Sequence, residues 1–93
     1  MSPAMIYRCK PGITWVKDLD RVVVVDSSSN RGWRMEGQEM EIWELLNLGY
    51  TFPKIVALLS VVYSQSEADT SQSVERILAG WVEAGMVLEG QNG

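Results

Sequence analysis

The sequence predicts an α+β domain in which a three-stranded antiparallel β meander is followed by three α-helices. Three observations carry this reading. Runs of β-branched and aromatic residues separated by turn signals fill residues 13 to 35, the apolar period changes to 3.6 after Gly37, and the helical segments beyond it are joined by very short turns. With 93 residues the chain can build one modest core and not a second, so it reads as a single unit.

Residues 1–12 carry Pro3, Pro11 and Gly12 without periodicity, which predicts an extended or frayed N-terminal segment. "ITWVK" (Ile13 to Lys17) is the first strand and "DLD" (Asp18 to Asp20) a turn. "RVVVVD" (Arg21 to Asp26) is the strongest strand signal, its four valines pointing to burial on both faces or on one face and a covered edge. "SSSN" (Ser27 to Asn30) is a loop whose side chains bond its own backbone, and "RGWRM" (Arg31 to Met35) is the third strand, with Met35 toward the core.

"QEMEIWELLNLG" places Met40, Ile42, Trp43, Leu45 and Leu46 on an apolar face and ends at Gly49, which makes the first helix. "TFPKIVALLSVVYS" starts the second, with Thr51 as N-cap and Pro53 in the first turn, where a missing N–H is harmless. A third begins at Ser66, with Asp69 three residues on as a weak capping box, and runs through Val74, Ile77, Leu78, Trp81 and Val82 to Gly85. "MVLEG" is a short extended tail able to pack back, and "QNG" frays.

Composition removes most function classes. Hydrophobic residues are 46% and charged residues 22% of the chain, a globular balance, and neither a membrane span nor a signal peptide is visible, so a cytoplasmic protein is expected. Histidine is absent, which eliminates the common zinc sets and the Ser-His or Cys-His nucleophile pairs; no metal, cofactor or catalytic residue is expected. The single Cys9 cannot form an internal disulfide and reads as incidental. Glu36, Glu39, Glu41 and Glu44 lack a second ligand cluster and read as a solvated face near a helix N-terminus. The net charge of −4 disfavours nucleic acid, and the third helix carries Arg76 against Glu67, Asp69, Glu75 and Glu83, so a major groove would repel it.

Of the four tryptophans, Trp43 and Trp81 fall on apolar helix faces and belong to the core. Trp33 either caps the core beside Met35 or lines an exposed groove. Its strand, Arg31 to Met35, is an edge of the meander without Pro or Lys to discourage pairing, so its backbone can accept a guest strand, with the third helix as a wall. About four added hydrogen bonds, at roughly 0.5 to 1.5 kcal/mol each, reach micromolar affinity only with some apolar burial beside them. The competing possibility is that the N-terminal segment or a second copy covers the edge; homodimers by strand pairing are allowed.

The meander followed by "MEGQEMEIWELLNLGYTFPKIVALLS" and "SVERILAGWVEAGMV" resembles the PqqD family, the RiPP recognition elements of ribosomal peptide natural-product biosynthesis, over residues 13–88, with 1–12 and 89–93 as flanking segments. The resemblance implies a winged-helix-like domain without activity of its own, a peptide chaperone that binds a precursor leader as an added strand and presents it to a modifying enzyme such as a radical SAM maturase or a leader peptidase. By position it implies a site on Arg31, Gly32, Trp33, Arg34 and Met35, walled by Val74, Ile77, Leu78 and Trp81, with Arg31 and Arg34 suited to an acidic leader. Family members often carry a small polar residue and then Thr-Gly where this chain has Glu36, Gly37 and Gln38. A winged-helix regulatory or protein-interaction module outside peptide biosynthesis is the alternative.

Overall fold

The computed structural model describes residues 5–91, so the "QNG" end is described only as far as Gln91. Its elements are β1 (Met5–Cys9), β2 (Ile13–Asp18), β3 (Arg21–Asp26), β4 (Arg31–Glu36), α1 (Gly37–Asn47), α2 (Phe52–Val62), α3 (Glu67–Ala84) and β5 (Val87–Gln91). The expected α+β order is observed: an antiparallel sheet in the order β2-β3-β4 precedes three helices. In addition β1 pairs antiparallel with β5, Cys9 opposite Val87 and Met5 opposite Gln91, so the lead-in and the tail form a second, two-stranded sheet.

The sheet buries one face, not two. Along β3 the side chains of Val22, Val24 and Asp26 are buried, whereas Val23 is half-buried and Val25 exposed, the period-2 alternation of a sheet with one wet side. Register then fixes the core-side rows. Val24 lies between Trp15 of β2 and Trp33 of β4, and Val22 lies between Lys17 and Met35. Against this face pack Ile42, Trp43 and Leu46 of α1, Ile55 and Leu59 of α2, and Val74, Leu78 and Trp81 of α3, all buried. Trp43 sits edge-on to both Trp15 and Trp81, with centroids 6.5 and 5.4 Å away, the geometry favoured by the ring quadrupoles.

The helix ends follow from local chemistry. The Ser66 hydroxyl accepts from the Asp69 N–H at 3.1 Å and caps α3, as its sequence indicates. Gly85 closes that helix at φ +83°, which lets the Met86 N–H reach the Trp81 carbonyl at 2.9 Å. Thr51 does stand at the N-cap of α2, but its side chain makes no capping bond; Pro53 removes one of the two N–H groups it could accept from. At the start of α1 the chain turns through Gly37 at φ +59°, with Glu36 extended and uncapped. Open space surrounds Gly37, so the left-handed backbone is what requires glycine there.

Candidate functional site

The β4 strand is an edge: it pairs with β3 on one side, and among the described residues no strand occupies the other. The N-terminal segment, one candidate to cover it, goes to β5 instead. An uncovered edge presents a row of backbone donors and acceptors to any extended chain.

Alternation along β4 sorts its side chains. Arg31, Trp33 and Met35 share the core-side face with their cross-strand partners Asp26, Val24 and Val22, while Gly32 and Arg34 project from the opposite face beside Val25 and Val23. Met35 is buried as expected; Trp33 is half-buried against the core and keeps part of its ring outside. Trp33 is thus both a core cap and a rim residue. The Arg31 guanidinium stacks 5.0 Å from the Trp33 ring centroid, an exposed cation–π contact, and one of its N–H groups donates to the Ala84 carbonyl at 3.5 Å. Arg31 therefore ties the start of β4 to the end of α3. Arg34, on the other face, is not beside it, so the two arginines do not form one basic site.

The α3 residues expected to wall that edge lie mostly in the core. Val74 and Leu78 have no exposed surface and Trp81 is buried, so these three side chains hold the helix to the core and do not face a cleft. Ile77 is half-buried on the shoulder of that stripe. Helical spacing puts Ser73 and Ala84, both half-buried, and Gly80 on the same side of α3 as Ile77.

The remaining reactive groups are occupied. The Cys9 thiol is half-buried and donates to Asn47 Oδ1 at 3.2 Å, and burial pushes its pKa up, away from the thiolate. Glu44 pairs with Lys17 at 3.4 Å, and among the described residues no three His, Cys, Asp or Glu side chains are grouped to hold a metal ion. Asp26 accepts from the Ser28 hydroxyl at 2.7 Å and from the Ser28 N–H at 3.0 Å, and lies 3.5 Å from Lys10 Nζ. These bonds, the Ser28 hydroxyl first, outweigh burial and hold its carboxyl near pKa 2. That network shapes the turn into β4. Within the described residues no helix is long and apolar enough to cross a membrane.

The fold defines a class: a small meander backed by three helices, with the β4 edge of the sheet left open among the described residues. No protein-family model matches the sequence, and no curated protein matches it. Among solved structures, a lasso peptide synthetase B1 complexed with the leader peptide is similar with a TM-score of 0.81 and 21% identity, covering 88% of this chain and 96% of that one. TbiB1 in complex with the TbiA(beta) leader peptide is similar with a TM-score of 0.83 and 16% identity, covering 86% and 93%. The chain has the fold of these B1 proteins, which is the fold the resemblance implied.

Proposed function

We propose that this chain is a non-catalytic recognition protein that binds the leader of a ribosomally made precursor peptide as a fourth strand on β4 and presents the rest of that peptide to a modifying enzyme in the cytoplasm. The observation that carries it is the open edge of β4, with half-buried Trp33 on its core side, in a fold whose solved counterparts were captured with leader peptides. Backbone pairing supplies affinity without sequence; Trp33 and Ile77 supply apolar contact, and Arg31 a charge at one end. A radical SAM maturase or a leader peptidase would receive the bound precursor.

The test is a titration with the leader of the precursor encoded nearest the gene, followed by backbone amide shifts. Shifts should concentrate in β4 and on the Ser73–Ile77–Ala84 shoulder of α3. No change there at tens of micromolar peptide, about −6 kcal/mol, would end the leader-binding reading.

A further inference from the structure

A second surface, on the outer side of α2, is built to associate. Val61, Val62 and Leu58 are 78%, 63% and 43% exposed, and Leu48 at the end of α1 is 72% exposed. Leu48, Leu58 and Val62, together with half-buried Leu45, line a groove of about 310 Å³ between α1 and α2, with Glu41 also lining it. So much contiguous aliphatic surface marks an interface. The charges on α2 indicate what fills it. Lys54 lies in the first turn, where a cation opposes the helix dipole, while the last turn has no basic residue to complement it. Lys54 also has no ion-pair partner among the described residues.

We propose that the occupant is a second copy of this chain, with α2 packed antiparallel on α2 about a two-fold axis near Leu58. Lys54 lies four residues before Leu58 and Val62 four residues after it, so the axis sets Lys54 of one copy beside Val62 of the other. There it meets the C-terminal end of the opposing helix and Glu41, which lines the same groove as Val62. Lys54, Leu58 and Val62 follow i, i+4, i+8 spacing, which makes one ridge able to pack into the opposing helix, and the contact is reciprocal, as a two-fold interface requires. The arrangement leaves β4 open in both copies.

Sedimentation velocity on the full chain from roughly 5 to 500 µM should show a concentration-dependent dimer. Val61→Glu, at an exposed position, should weaken the dimer by at least about tenfold while the amide spectrum keeps the native pattern. Lys54→Glu should weaken it by about two- to fivefold, and Glu41→Lys in the same chain should restore it. A monomer throughout that range would overturn the proposal, as would a dimer indifferent to Val61→Glu. A dimer that a leader peptide disperses would instead be paired through β4, and would overturn it too.

Discussion

Trp33→Ala separates recognition from folding, because the same side chain serves both to different extents. Full burial of a large apolar side chain stabilises by about 1.5 to 3 kcal/mol, and Trp33 is half-buried, so truncation removes about 1 kcal/mol of burial. The exposed Arg31 contact adds about 0.5 kcal/mol. A loss near 1.5 kcal/mol leaves the domain folded, since a chain of this length has a stability on the order of 5 to 14 kcal/mol. If a guest strand packs over the open part of the ring, the loss in binding is larger: a buried tryptophan at the centre of an interface is worth about 2 kcal/mol or more, roughly 30-fold in Kd. Calorimetric titration with the leader peptide gives the second quantity and urea unfolding the first. Trp15→Ala is the internal control, because Trp15 lies in the same row across Val24 but at the β2 edge. It should lower stability and leave Kd within about twofold. An unchanged Kd for Trp33→Ala in a folded protein, or an equal loss for Trp15→Ala, would refute the placement of the guest on β4.

Leu78→Ala opens a cavity at a position with no exposed surface and should reduce stability by about 2 to 5 kcal/mol in urea, with the Kd of the folded fraction unchanged; Ile77→Ala should do the reverse, weakening binding more than stability. Leu19, 87% exposed in the two-residue connection between β2 and β3, holds φ +59°, so Leu19→Asn should stabilise the protein by about 1 kcal/mol and raise Tm by about 4 to 8 °C in a thermal scan. An unchanged Tm would mean that the left-handed backbone there carries no strain. Asp26 binds its proton more weakly folded than unfolded, so its contribution is complete above the ordinary carboxylate value of 3.8 and disappears as pH falls through about 2. Stability of the wild type should therefore fall faster than that of Asp26→Asn across that window; parallel acid titrations would remove Asp26 from the β3–β4 turn network.

Element types were legible because each rests on a local period. Four valines and two turns specify the meander, and Ser66 with Asp69 and Gly85 specify both ends of α3 by hydrogen bonds made within a few residues. The β1–β5 pair was not legible, since its strands lie some eighty residues apart in sequence and "MIYRC" shows no alternation strong enough to demand a partner. The site was half-legible for a related reason. Edge position follows from the order of a meander, but an apolar stripe on a helix does not state whether its centre meets a core or a cleft. Val74, Leu78 and Trp81 occupy the centre and Ile77 the shoulder, a difference of about three-quarters of a right angle about the helix axis. Period 2 places Arg31 and Arg34 on opposite faces once Met35 is taken as buried, so only one of them can meet a given face of a guest strand.

Those details limit what a guest strand on β4 can be. Backbone hydrogen bonds carry no sequence information, so selectivity has to come from side chains that alternate along the guest. On the proposed site only every second guest residue would lie on the core side with Trp33; the others would lie beside Gly32 and Arg34 on the wet face. The buried stripe of α3 fixes that helix to the core, so the ordering entropy of binding falls mainly on the peptide. At the closed end, Arg31 is already engaged by Trp33 and the Ala84 carbonyl, both weak exposed contacts that a carboxylate can replace with a charge-assisted bond. A leader bound on β4 as proposed would be expected to carry apolar residues at i and i+2 and an acidic residue at the end that meets Arg31, and one with this spacing shifted by one residue would present the wrong face.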